Sequence, residues 1–277
     1  MPGPAPTRTT VDRRPDRARH AIVIAPNALT RPLKTSENVA RELVHDIIAS
    51  GRKPGDALAP EATMLEQYGV GRESLREALR LLEVQGLIFL RRGAGGGPVV
   101  GTVDPANLGR ISSLYYHLAG ATYRELFDAW AAAEALLAER AAANPRPAMR
   151  RRAMAPYIAD ENDHDEGEPL ATASSDVQGF VHFHTRFHAV VASLAANRVL
   201  ELSLQVMGQI VSRHTVMADD PTRLQRLIVD DHHRLARAVT EGDPPAARRL
   251  MDLHVQNMSD ALIRGLGDGI DEFIDWC

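Results

Sequence analysis

Between Thr35 and Gln85, apolar residues recur three and four apart in short runs cut by glycine and proline turns, and this pattern constrains the fold most. Val39, Leu43, Ile47 and Ile48 can share one face of a first helix, with Thr35 or Ser36 placed to cap its N-terminus. Gly51 and the turn Lys53-Pro54-Gly55-Asp56 stop it. A short helix over 61–68 meets Gly69-Val70-Gly71, and a longer one over 72–85 turns Leu75, Ala78, Leu79 and Leu82 inward. Two helices joined by a tight glycine turn make a helix-turn-helix.

After Gly86 the period changes. Leu87-Ile88-Phe89-Leu90 and Val99-Val100 read as two short strands around the basic, glycine-rich tip Arg91-Arg92-Gly93-Ala94-Gly95-Gly96-Gly97. That is a wing beside the helix-turn-helix. A nucleotide-cradling P-loop would need a following Lys-Ser/Thr and a helix, and neither is present.

The first residues of a second helix in this motif enter the major groove. Here they are Arg72, Glu73, Ser74 and Arg76. Arginine can donate two parallel hydrogen bonds to guanine or clamp a phosphate, and serine reaches either. Glu73 can accept from a cytosine amine or simply favour the positive end of the helix. Arg91 and Arg92 would bring charge to the backbone, and Gly95 would let the wing approach it closely. The net charge of −4 means that any DNA-binding surface is local. Arg8, Arg13, Arg14, Arg17 and Arg19 crowd an aperiodic segment, residues 1–33, read as a disordered basic arm.

Downstream, helical periods cover 105–118, 123–143, 146–159, 176–195, 198–217, 222–240 and 245–265, an all-α antiparallel bundle. The chain is therefore expected to be mainly α, with a winged helix-turn-helix at 34–101, a helical domain at 102–270 and a tail at 271–277. The acidic run 160–168 reads as a surface loop, since its spacing does not match an EF-hand. No apolar run approaches the 18–20 residues that span a bilayer, the N-terminus has no signal-type apolar core, and the single cysteine, Cys277, excludes an internal disulfide framework. A cytoplasmic protein without membrane partners is expected.

Within the helical part, His184 and His188 lie four apart, hence on one helix face. His232 and His254 sit on two further helices separated by Glu241-Gly242-Asp243-Pro244, and an antiparallel pair around that turn can bring both to one core face. The four could hold one divalent metal ion. Histidines on amphipathic helices are also common as hydrogen-bonded core residues, so spacing alone leaves both readings open. His182 and His233 should face away from the cluster.

The segment 34–101, with Pro54-Gly55-Asp56, Gly69-Val70-Gly71-Arg72, the run from Leu75 to Glu83 and Gly86-Leu87-Ile88, resembles the winged-helix domain of GntR-family transcription regulators. The position where many members carry a further DNA-contacting arginine is Ala62. Residues 104–270 resemble the FCD effector domain of the FadR-like branch, through Glu125-Leu126-Phe127-Asp128, Glu134, Phe187-His188, Asn197-Arg198-Val199-Leu200, His232, Gly242-Asp243, Ala247, Met251 and His254. The resemblance implies a metal pocket built from Asp-x-x-x-His and two later histidines. His184 stands at the aspartate position, so the site would be all-nitrogen, which suits Zn²⁺ or Ni²⁺.

The resemblance also implies an arginine early in the effector domain to hold a carboxylate ligand, but the matching position is Trp130. Either Arg186 or Arg213 takes that charge, with Asn197 nearby, or the small-molecule effector is an acyl compound rather than an organic acid. A core role for Trp130 is equally open. The implied function is a ligand-responsive repressor that binds a palindromic double-stranded operator as a homodimer. The alternative is a metal-dependent hydrolase, but His184-Thr185-Arg186-Phe187-His188 lacks the glutamate base of a His-Glu-x-x-His site, and that reading would leave the winged helix unexplained.

Overall fold

The computed structural model describes residues 31–93, 96–158, 177–212 and 221–276. The arginine-rich arm over 1–30, Gly95, the acidic run 160–168 and Arg213 lie outside them. Two apolar cores organise the chain.

The first core belongs to α1 (Thr35–Ala49), α2 (Glu61–Tyr68) and α3 (Arg72–Val84). Leu75, Ala78, Leu79 and Leu82 of α3 pack with Val39, Ala40 and Leu43 of α1 and Met64 of α2. Burying each of the larger side chains contributes about 1.5–3 kcal/mol. Ile48, expected inward, is 72 % exposed, because it lies one residue beyond the Val39–Leu43–Ile47 row and so about 100° around the helix. The cap of α1 also differs from expectation. Lys34 holds that position, its backbone N–H donates to the Glu37 carboxylate, and Ser36 is buried instead. Gly69 ends α2 at φ 62°, a left-handed conformation that glycine adopts without steric cost, and the chain turns into α3.

Strands β1 (Ile88–Arg91) and β2 (Gly97–Val100) pair antiparallel with Ile88 opposite Val100 and Arg91 opposite Gly97. Ile88 points into the first core while Arg91 and Arg92 are exposed. The wing is thus anchored at its base and basic at its tip.

The second core is all-helical: α4 (Pro105–Leu118), α5 (Tyr123–Ala142), α6 (Pro147–Met154), α7 (Val177–Leu194), α8 (Arg198–Ser212), α9 (Pro221–Glu241) and α10 (Pro244–Leu266). Asp104 caps α4 by accepting from the Ala106 N–H, ahead of Pro105 at the first helical position. A capping box starts α5, where the Thr122 hydroxyl accepts from the Glu125 N–H and the Glu125 carboxylate accepts from the Thr122 N–H. Helix α5 packs against α7, α8, α9 and α10, which is why its row Tyr123, Leu126, Phe127, Trp130, Glu134, Leu137 and Ala141 is buried. At Gly242, φ 79°, α9 reverses into α10, and the Asp243 carboxylate accepts from the Ala246 N–H to start the second helix. The helix expected over 146–159 is shorter. Helix α6 ends at Met154 and tightens into a 3₁₀ turn, Ala155–Tyr157, around Pro156, whose nitrogen cannot donate.

The segment expected as a tail after residue 270 is built into this unit. The Tyr123 N–H donates to the Glu272 carbonyl and the Ile274 N–H donates to the Ala121 carbonyl, so the chain end pairs with the turn before α5. Ile274 is 1 % exposed, Arg124 pairs with Asp271 at 2.8 Å, and His117 Nδ1 lies 2.8 Å from the Ile274 carbonyl. Apolar burial supplies the reason, since Ile270 and Ile274 both enter the second core. No helix among the described residues is long and apolar enough to cross a membrane.

Candidate metal centre and nucleic-acid interface

Helix α7 carries His184 and His188 on one face, the α9–α10 reversal brings His232 and His254 beside them, and one ligand nitrogen from each lies within 4.8 Å of the others. His188 Nε2 and His254 Nε2 are 3.2 Å apart. Two nitrogens sharing a tetrahedral ion at about 2.0–2.1 Å would stand about 3.3–3.4 Å apart. The spacing is that of neighbouring ligands.

The far side of two rings is occupied by carboxylates. Glu134 Oε1 on α5 lies 2.8 Å from His188 Nδ1, a close contact without the geometry of an aligned hydrogen bond. Asp231 Oδ2 lies 3.4 Å from His254 Nδ1 and accepts from the Asn257 amide at 3.3 Å. A carboxylate that accepts from Nδ1–H fixes the tautomer that leaves Nε2 free to ligate and raises its basicity, as Asp231 is placed to do for His254. Neither carboxylate figured among the sequence candidates for metal. Glu134 stood only in the family pattern and lies on α5, which carries none of the four histidines, and Asp231 adjoins His232 on α9 without sharing its helix face; the one local signal was that adjacency.

His232 is fully buried, and neither of its ring nitrogens has a hydrogen-bond partner. Leaving such a group unsatisfied costs about 1–3 kcal/mol, and an ion would satisfy one of the two nitrogens. His184 is partly accessible, yet its Nδ1 is sealed and also unpartnered. Phe187 stacks on the His232 ring at 3.9 Å and Phe180 on that of His184 at 6.2 Å, giving the cluster an apolar wall. Burial, and then the neighbouring His188 and His254, push His184 well below the usual histidine range. Burial first, followed by His184, His254 and His188, does the same to His232. Burial lowers His254 as well, against the opposing pull of Asp231. These three imidazoles are therefore neutral near pH 7, the form that ligates metal. The donor set fits a divalent ion of the late first row.

Trp130 stands on α5 with its ring 6.4 Å from that of His188 and is buried. Of the other residues considered for an effector, Arg186 and Asn197 are not gathered there. Arg186 is exposed, and Asn197 caps α8, its Oδ1 accepting from the Val199 and Leu200 N–H groups. His182 is exposed and His233 half-buried.

On the other unit, Arg72, Glu73 and Arg76 are exposed at the start of α3 and Ser74 is half-buried. Arg76 Nε donates to Glu61 Oε1 at 3.0 Å, so the first residue of α2 holds a side chain of α3. Sequence reasoning did not find this partner, because contacts across a turn carry no periodic signal. Ala62 is exposed beside it.

The profile of the gntR family of bacterial regulatory proteins matches residues 35–96, and that of the FCD domain matches residues 125–257. A protein of Mycobacterium gastri named as the HTH-type transcriptional regulator RmpR is 30% identical over 226 residues, covering 78% of this chain and 76% of its own length. The Uxu operon transcriptional regulator of Escherichia coli is 26% identical, over 84% of this chain and 87% of its own. The HTH-type transcriptional repressor NanR of Citrobacter rodentium is 25% identical, over 86% and 90%. Among solved structures, a Streptococcus agalactiae GntR protein superposes with a TM-score of 0.63 at 19% identity, covering 81% of this chain and 99% of that one.

Proposed function

Because the chain belongs to the gntR family of bacterial regulatory proteins, with an FCD domain behind its winged helix as in the FadR-like branch, we propose that it is a metal-containing repressor acting as a homodimer on a palindromic operator. The chain is a transcription regulator rather than an enzyme, and its two units divide DNA binding from ligand binding. The proposal adds the residues, the assembly and the sign of regulation.

In the DNA-binding unit, Arg72 and Arg76 at the start of α3 read base edges, Glu73 and Ser74 support them, and Arg91 and Arg92 of the wing contact the backbone, with Gly95 at its tip. A dimer presents two such units, one helical turn or so apart, to a symmetric site. In the helical unit, His184, His188, His232 and His254 hold the ion, Zn²⁺ or Ni²⁺, while Glu134 and Asp231 orient His188 and His254. The ion supplies a fixed positive charge that ties α7, α9 and α10 together. A ligand acts by favouring either the DNA-competent arrangement or the incompetent one. The protein works in the cytoplasm, where its DNA is.

The observation that carries this reading is the joint presence of an exposed Arg72–Arg76 face on α3 and a buried histidine cluster backed by two carboxylates. Selection of duplexes from a randomised pool by the full-length protein tests it. A palindromic consensus bound by a dimer in light scattering is expected, and loss of enrichment with Arg72→Ala. An asymmetric consensus bound by a monomer would overturn the dimeric operator.

A further inference from the structure

At one end of the bundle the C-termini of α5, α7 and α9 meet two buried polar side chains that the histidine cluster does not use. Asn144 follows the end of α5 and is 4 % exposed. Its amide donates to the carbonyl of Leu194, the last residue of α7, at 2.7 Å, and its Oδ1 accepts from the Arg146 N–H at 3.0 Å. Arg150 on α6 is also buried, and its Nη1 donates to the Asn144 carbonyl. Its Nη2 fills the space where a side chain at Gly242 would begin, 2.6 Å from the place of a Cβ. Gly242 is where α9 reverses into α10, and there the Asp243 N–H donates back to the Ala238 carbonyl. Two side chains from the short segment 144–150 thus join α5, α7 and the α9–α10 reversal.

Among the described residues no carboxylate pairs with Arg150, and its Nε is buried without a hydrogen-bond partner. A buried cation needs an opposing charge. Helix C-termini supply it, since each carries about half a negative elementary charge on its unpaired carbonyls. The ends of α5 and α9 both abut this guanidinium, so two half charges oppose one whole one. The arginine is held by the two ends together, and separating them would leave its charge exposed to only one.

The joint stands at a common distance from the histidine cluster. Glu134 lies ten residues before Asn144, His184 ten before Leu194 and His232 ten before Gly242, so a helical rise of about 15 Å separates each from the joint. His254 lies twelve residues beyond Gly242 on the returning helix. We infer that Asn144 and Arg150 are positioning residues for the cluster: they lock the register of α5, α7 and the α9–α10 pair at one end, so that Glu134, His184, His188, His232 and His254 meet further up. A slip of one residue along a helix moves its side chains by about 1.5 Å, whereas a binding constellation tolerates about 0.5 Å. The inference rests on the metal-containing regulator proposed above for what the cluster holds, while the register is a property of the chain itself.

The test uses full-length protein in which the exposed Trp276 is replaced by Phe, so that Trp130, buried with its ring 6.4 Å from that of His188, is the sole tryptophan. Zn²⁺ affinity is read by competition against a chromophoric chelator, and the accessibility of Trp130 in chelator-stripped protein by acrylamide quenching, both well below the melting midpoint. In Arg150→Met, Zn²⁺ affinity should fall by about tenfold or more, the order typical of groups that position a ligand, and quenching should rise. Ile210→Ala empties a buried position on α8, which carries neither joint nor cluster residues, and should lower the midpoint while moving neither reading. Wild-type values of both readings in Arg150→Met, or equal changes in Ile210→Ala, would overturn the lock. Should Arg150→Met not fold, Arg150→Lys, which keeps the charge and loses the fork between Asn144 and Gly242, is judged by the same two readings. A wild type that takes up no Zn²⁺ would remove the metal reading, and the Trp130 quenching of the variants then decides the lock alone.

Discussion

His188 and His254 direct their Nε2 atoms at one another across 3.2 Å while each turns its Nδ1 toward a carboxylate, Glu134 for the first and Asp231 for the second. If the ring protons sit on the Nδ1 atoms that face the carboxylates, the two Nε2 atoms meet lone pair to lone pair, an approach that the pair alone does not explain. The proposed ion would account for both the approach and the carboxylates behind it.

If the proposed ion is held there, the carboxylates should tune its affinity. Replacing Glu134 with Gln keeps the volume but removes the charge that orients His188, and such outer partners typically account for about 10–100-fold in affinity. Competition against a chromophoric chelator should show weaker Zn²⁺ binding by that order in Glu134→Gln, and a larger loss in His188→Ala. Wild-type affinity in Glu134→Gln would show that the 2.8 Å contact does not support the ligand.

Acid should destabilise the metal-free protein. His184, His232 and His254 have folded-state affinities for protons depressed by burial, whereas the unfolded chain takes protons near pH 6.5. Below that pH the unfolded state binds more protons than the folded one, so stability rises with pH and falls progressively as pH drops from about 6.5 toward the depressed folded values. Urea midpoints for stripped protein should decline from pH 7.5 to pH 5.5, and by less in a His232→Phe variant. A flat profile would mean that these rings are not buried as neutral groups.

The helices of the bundle were largely legible in the sequence, because amphipathic periods and chain-breaking turns are local: α4 spans the expected 105–118, and Gly242 with Pro244 marked the α9–α10 reversal. The convergence of the four histidines followed from the same local logic, one face per helix and one turn between helices. What was not legible depends on partners far apart in the chain. Glu134 meets His188 across 54 positions, and the strand-like end at Ile274 meets Ala121 across more than twice that. Neither period nor composition announces such a meeting. Ile48 failed for a different reason: an apolar residue at the edge of a helical stripe can face water without large cost.

Arg76 should depend on Glu61 for its position. Their contact is exposed, and pairs of this kind contribute at most about 1 kcal/mol to stability, so its effect belongs to DNA recognition rather than folding. Glu61→Ala is expected to leave the melting temperature nearly unchanged and to alter duplex affinity by a few fold. Arg76→Ala should weaken it more, and a double variant no worse than Arg76→Ala alone would confirm that Glu61 acts through Arg76. Additive losses in the double variant would assign Glu61 an independent role.

The chain end contributes to the bundle through Ile274, which is 1 % exposed and lies in the second core beside Ile270. Truncating a buried isoleucine to alanine typically costs about 2–5 kcal/mol through lost burial and the cavity left behind. Its backbone N–H donates to the Ala121 carbonyl, and its own carbonyl lies 2.8 Å from His117 Nδ1, so deletion of the segment also leaves those groups to find water. Ile274→Ala should therefore lower the denaturation midpoint of the helical unit, and a chain ending at residue 270 should lower it further. Because α3 and its core lie in the other unit, the Arg72–Arg76 face should keep its intrinsic affinity for DNA when measured well below the midpoint. Unchanged stability in both variants would mean that the final residues are, after all, a tail.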